Sequence, residues 1–201
     1  MTRPPPKREP RADTRRAILE AGIRSVLQKG YDRSGLAEIL REAKVPKGSF
    51  YYYFASKEDF GLQLIEYWLE HYGEAEASLQ DETLSPLTRV RRFFEARCRL
   101  FKRLKREYGT VVGMLLLEMA TYNETFRCRV EKVLAGWQEQ LTACLVEAQQ
   151  AGELDPGRDA RTLAEFCLIS WEGAIQRART IQNTAPLDVF FRVTFETFLV
   201  K

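Results

Sequence analysis

From Asp13 onward, apolar residues recur every three to four positions, the spacing of one face of an α-helix, with no credible run of strand-like alternation. Leu19, Ile23, Val26 and Leu27 mark a first helix that opens behind Asp13 and closes at Gly30. Leu36, Ile39 and Leu40 mark a second, with Ser34 as its cap and its end near Ala43. Val45-Pro46 interrupts helical geometry, and Pro46, its φ fixed, opens a third helix running through Tyr53. Ser56, with Asp59 three residues later, caps a fourth that carries Leu62, Ile65, Trp68 and Leu69 on one face and reaches about residue 77. Ser85-Pro86 starts a helix to about residue 107, and others follow at about 110–120, 122–151, 159–182 and 186–200. The pattern predicts an all-α chain of about nine helices. A helix-turn-helix domain at 13–60 is followed by a helical body at 61–201, and a proline-rich basic arm occupies 1–12.

Composition narrows what such a chain does. Apolar residues at 45% and charged residues at 29% are ordinary globular values, and the longest apolar run, Val111 to Leu117, is far shorter than the roughly 20 residues that span a bilayer. The opening residues are basic with no apolar stretch behind them, unlike a secretory signal, so a cytoplasmic protein is expected. Cys98, Cys128, Cys144 and Cys167 lack CxxC spacing and are read as free thiols. The single histidine, His71, read as a surface or junction residue, leaves no metal pattern and no acid–base set, so no enzyme, cofactor or metal site is expected. The net charge of +3 conceals an asymmetry: residues 1–60 hold 13 Lys/Arg against 8 Asp/Glu, and residues 61–201 hold 18 against 20. A basic amino-terminal unit on a slightly acidic body suggests a polyanion-binding part and a part with another task.

The third helix shows how that polyanion could be met. With Phe50 at zero and about 100° per residue, Phe54 falls near 40°, Gly48 near 160° and Tyr52 near 200°. Phe50 and Phe54 therefore face inward. Gly48, Ser49, Tyr51 and Tyr52 face outward, small at the start of the helix where its end approaches base edges in a major groove. Lys47 and Lys57 begin the third and fourth helices, where an ammonium group and backbone N–H groups can hold phosphates. Ser34 is counted with this set, as are Lys7, Arg8 and Arg11 on an arm that can reach a neighbouring groove.

The stretch Thr14 to Phe60, above all GYDRSGLAEILREAKVPKGSFYYYFASKEDF, resembles the DNA-binding domain of the TetR family of bacterial transcriptional regulators. Within it, VPKGSFYYYFASKEDFG is most similar to the branch of the acrylate-responsive and N-ethylmaleimide-reductase repressors. The resemblance implies a homodimer that binds a palindromic double-stranded DNA operator and releases it when a small molecule binds the carboxy-terminal domain. It also implies that Lys47, Ser49, Tyr51, Tyr52 and Lys57 stand against DNA. Lys44 occupies a turn position where many members have glycine. In that branch a cysteine precedes the helix corresponding to Val112 to Ala120, and Thr110 stands in its place here, so a thiol switch at that site is not expected.

In the body, Trp68, Met114, Leu117, Glu118, Trp137, Phe166 and Trp171 are the large or distinctive side chains of the inner helices, and they form the expected ligand pocket. Glu118 is a charge on an otherwise apolar helix and needs a partner or a ligand if buried. Leu168, Trp171, Ile175, Phe190, Val193 and Phe198, on the last two helices, are the expected contacts of a four-helix dimer interface. The alternative reading is a helical enzyme or small-molecule carrier that retains a helix-turn-helix.

Overall fold

The structure, a computed structural model, describes residues 11–104, 111–121 and 123–201. Ten α-helices follow one another, with no strand among the described residues: α1 Arg11–Lys29, α2 Leu36–Glu42, α3 Phe50–Tyr53, α4 Lys57–Tyr72, α5 Glu74–Leu79, α6 Pro86–Arg103, α7 Val111–Met119, α8 Glu124–Gln150, α9 Ala160–Ile181 and α10 Ala185–Val193. A π-helical turn, Thr194–Phe198, extends α10.

The one additional helix arises at Gly73, which separates α4 from α5 where a single helix to about residue 77 is expected. A Cβ at Gly73 would stand 2.3 Å from the Leu69 carbonyl oxygen, so the chain turns there more tightly than a side chain allows. The third helix also differs. Pro46 precedes a 3-10 turn, Lys47–Ser49, before the single α turn of α3, and Phe54 is already extended at φ −135°. Ser34 does not cap α2. The N-cap is Gly35, and Ser34 is buried, donating its hydroxyl to the Gly30 carbonyl at 2.7 Å and accepting one from Ser25 at 2.9 Å. Other caps behave as the residue types dictate: Ser56, Asn123 and Asp159 each accept an N–H in the first turn of α4, α8 and α9.

Helix α1 packs on α2 and α4, α5 on α6, α6 on α8, α8 on α9 and α9 on α10, while α7 touches α1, α4 and α8. Ile18, Leu19, Val26, Ile39, Leu40, Phe50 and Phe54 bury the inner faces of the first three helices. Phe60, on α4, closes this cluster with its ring edge-on to Phe54 at 4.9 Å and to Phe50 at 5.5 Å. The same helix continues past Leu64 and Ile65 to Tyr67 and Trp68, which are buried in the body, so one apolar core runs through the whole molecule. No helix among the described residues is long and apolar enough to cross a membrane.

Close packing around α4 is tightest at Gly61. A Cβ there would lie 2.5 Å from Phe126 Cζ and 2.7 Å from Tyr31 Cε2. Gly61→Ala relieves a helix-interior glycine, worth about 1 kcal/mol, and incurs overpacking of about 1–3 kcal/mol, so a net destabilisation of up to about 2 kcal/mol is expected. Urea unfolding checks it, and a variant more stable than wild type would show that the two rings yield freely.

Candidate nucleic-acid interface and inner cavity

The outward face of the third helix is built as its wheel requires. Phe50 and Phe54 are buried at 1% exposure each, while Tyr51 and Tyr52 stand 68% and 62% exposed. Lys47 and Gly48 are exposed and Ser49 is half-buried. A Cβ at Gly48 would meet nothing within 4 Å, so this glycine keeps space open toward the outside rather than relieving an internal contact. Lys44 adopts φ +57°, the left-handed conformation that favours glycine, which places a cation in the tight turn between α2 and the third helix. Lys7 and Arg8 lie outside the described residues, and Arg11 begins α1, with its side chain likewise outside them.

Two expectations for this face change. Burial withdraws the Ser34 side chain from any ligand outside the fold. Lys57 is turned back onto its own scaffold: its Nζ donates to the Asp32 carbonyl at 3.2 Å and lies 4.9 Å from the centre of the Tyr31 ring. The Tyr31 hydroxyl in turn donates to the Lys57 carbonyl at 2.5 Å. Burial, with the Glu58 and Asp32 carboxylates nearby, holds that hydroxyl well above the usual phenol range, so it remains a donor.

Glu118 is not among the residues that line the inner cavity. It reaches from α7 to the loop after α1, where its Oε2 accepts the N–H groups of Tyr31 at 2.6 Å and Asp32 at 3.2 Å. The partner that its position among apolar residues demanded is the backbone of the loop between α1 and α2.

A cavity of about 150 Å³, partly open to solvent, lies where α4, α5, α6 and α9 meet, lined by Trp68, Tyr72, Arg97, Phe101, Trp171 and Ile175 among others. Of the expected pocket residues, Trp68 and Trp171 line it. Trp137 stands just behind it, its ring 3.8 Å from the Arg97 guanidinium carbon, and Met114 is buried in the core. Phe166 is 43% exposed on α9 and packs on Phe198, away from this space. The side chain of Leu117, and Thr110 altogether, lie outside the described residues.

Arg97 is the residue that sequence reasoning missed. It is buried between the Phe93 and Trp137 rings, donates from Nη2 to Glu76 at 2.7 Å, and leaves Nε without a partner. Burial lowers its pKa from the usual arginine value, against the pull of Glu76 and Glu172. The available signal was its place on α6, three and four residues after the buried Phe94 and Phe93, which puts a charge on the apolar stripe. His71 also borders the cavity, stacked on Tyr67 at 3.8 Å with Nδ1 against the Tyr67 carbonyl.

None of the four cysteines lines the cavity. Burial raises the thiols of Cys98 and Cys144 and pushes Cys167 up to about 12. A hydrogen bond to Glu124 raises exposed Cys128, so all four environments favour the thiol over the reactive thiolate.

The expected dimer contacts divide. Trp171, Ile175, Phe190 and Leu168 are buried within the protomer, where Trp171 and Phe190 pack edge-on at 5.3 Å, so these four close its own core. Val193 remains 44% exposed and Phe198 is half-buried. Phe166, Ile169, Ile181 and Val189 are exposed instead, and an open apolar groove between α9 and α10 runs past Phe166, Ala174, Ile181, Val189 and Val193. Helix α9 thus carries a second apolar stripe beside the one that the core uses.

Comparison with known proteins places these features together. Residues 18–64 match the family described as bacterial regulatory proteins, tetR family, and residues 86–194 match the Tetracyclin repressor-like C-terminal domain. The chain is 38% identical over 186 residues to the transcriptional regulator AcuR of Cereibacter sphaeroides, covering 92% of this chain and 85% of that one. It is 28% identical to the HTH-type transcriptional repressor NemR of Escherichia coli, covering 88% and 89%. A crystal structure of regulatory protein TetR from Rhodobacter sphaeroides superposes with a TM-score of 0.83 at 38% identity, over 90% of this chain and 96% of that one.

The Arg97 site also bears on stability. Removing one partner of a buried ion pair costs about 3–5 kcal/mol, because the other charge is left uncompensated. Glu76 is one-quarter exposed, so water softens the loss, and Glu76→Ala is expected at the lower end of that range in thermal or urea unfolding. A cost below about 0.5 kcal/mol, the scale of an exposed pair, would show that Arg97 does not depend on Glu76.

Proposed function

Because the chain belongs to the TetR family of bacterial regulatory proteins, we propose that it is a cytoplasmic transcriptional repressor that grips a palindromic operator as a homodimer and lets go when a small molecule binds its body. The observation that carries the reading is the exposed face of Lys47, Gly48, Ser49, Tyr51 and Tyr52 held on the rigid Phe50, Phe54 and Phe60 cluster. Residues 13–60 form the DNA-binding head, 61–201 the ligand-binding and dimerisation body, and Lys7, Arg8 and Arg11 of the basic arm add phosphate or groove contacts. Lys57 serves the head chiefly by bracing Asp32 and Tyr31 in this conformation.

The effector enters the cavity beside Trp68, Tyr72, Arg97 and Trp171. Helix α4 supports a link between the two sites: its first turn carries Lys57 in the head, and its last turns carry Trp68 and Tyr72 at the cavity. A molecule that binds one tilt of α4 better than the other shifts the population of head positions, and the operator affinity changes by the same coupling energy. Binding is reversible and non-covalent, in keeping with four thiols that lie off the cavity lining and in thiol-favouring surroundings. Dimerisation uses the exposed stripe of Phe166, Ile169, Ile181, Val189 and Val193, pairing α9 and α10 of one protomer with those of its partner in a four-helix bundle.

Gel shifts against duplexes selected from a random pool test the DNA contacts. Lys47→Ala is expected to weaken binding to all sequences alike and to lower the salt slope by about one contact. Tyr52→Ala is expected to relax discrimination at one base position at a cost of about 1–3 kcal/mol. Identical losses on every duplex for both variants would contradict the assigned facing. For the interface, Ile169→Glu introduces a charge into the apolar stripe and is expected to yield folded monomers in light scattering, with operator affinity reduced to that of one half-site. A dimer of undiminished strength would move the interface elsewhere.

A further inference from the structure

The contact between Glu118 and the head combines three independent features. Tyr31 and Asp32 supply the first two amides beyond Gly30, the left-handed residue that ends α1 at φ +84°. A Cβ at position 30 would stand 2.0 Å from Glu118 Oε1, so the carboxylate reaches the backbone only because this residue is glycine. The loop so held leads directly into α2, and therefore into the turn and the third helix. Two further contacts join the head to the body: the Tyr31 ring of the same loop meets Phe126 of α8 edge-on at 5.2 Å, and Asn123 Nδ2 donates to Glu58 in the first turn of α4 at 2.7 Å. Hydrogen bonds from N–H to a carboxylate are roughly twice as strong as neutral ones, and Glu118 accepts two of them where Glu58 accepts one from Asn123, which makes Glu118 the stiffest of these links.

We propose that Glu118 is the positioning residue that fixes the angle of the head on the body, and with it the separation of the two recognition helices in the dimer. The inference rests on the operator-binding reading above. Two half-sites about one helical turn apart, roughly 34 Å, tolerate little error in that separation. A rotation about the loop at Gly30 is carried to the recognition face with the full length of the head as its arm. Glu118 touches neither the cavity lining nor the outward face of the third helix, so its effect is on spacing, not on contact with bases or effector.

The test uses the full-length dimer. A palindromic operator is selected from random duplexes with the wild type, and affinities are then measured for it and for versions with one base pair inserted between the half-sites. Wild type is expected to lose at least about tenfold on insertion. In Glu118→Ala that ratio is expected to fall toward one, with single-half-site affinity and salt slope unchanged, and Glu118→Gln, which keeps one acceptor oxygen, is expected between the two. Amide hydrogen exchange gives a readout that does not depend on DNA: Tyr31 and Asp32 should exchange about tenfold faster in Glu118→Ala while α9 is unaffected, as loss of a charge-assisted hydrogen bond allows. An unchanged spacing ratio in both variants, or unchanged exchange at both amides, overturns the assignment. If the wild type selects no sequence, the operator reading fails, and exchange at Tyr31 and Asp32 alone then decides whether Glu118 holds the head.

Discussion

Helix α4 belongs to two packing problems at once, and the rest of the molecule is arranged around that constraint. Its first half buries Phe60 against Phe50 and Phe54, and its second half places Trp68 beside the inner cavity. Interiors packed to crystalline density do not deform smoothly, so a helix shared by two clusters moves as a rod or not at all. The glycines within it and at its end follow from this. Gly61 lets Tyr31 and Phe126 come against the rod, and Gly73 ends it abruptly where the chain must double back into α5.

Polar groups near α4 are placed where a second rigid contact is needed. Tyr31, Lys57 and Asp32 form a closed set of donors and acceptors at its amino-terminal end. Arg97, sandwiched by two rings and bonded to Glu76, does the corresponding work near the other end, where α5 and α6 meet the body's core. A buried guanidinium is a costly way to join two helices, and its planar stacking faces account for its fit among Phe93 and Trp137.

Most of the fold was legible in the sequence because its signals are local. Prolines at helix starts, Ser56 as a cap and Gly30 as a terminator act within one turn of where they stand. The face of the third helix was readable for the same reason, since Phe50 and Phe54 are one helical turn apart. What escaped was non-local. Glu118 looked like a pocket charge because its partners are backbone amides 86 and 87 residues away, which carry no sequence mark. Trp171 and Phe190 looked like interface residues because α9 bears two apolar stripes, and composition does not say which one the protomer keeps for itself. The break at Gly73 was hidden by apolar positions that continue past it in helical rhythm.

The continuous core also bears on how such regulators can be recombined. A chimera joined at residue 60, the boundary at which the basic unit ends in the sequence, would sever α4 between Phe60 and Leu64 and pair each half with a stranger's rings. A joint after Tyr72 keeps that helix whole, yet it leaves the loop at Tyr31 without the α7 carboxylate and the Phe126 edge that meet it here. The recognition region of this protein is therefore not a detachable reading head: its transferable unit includes the surface on which it rests.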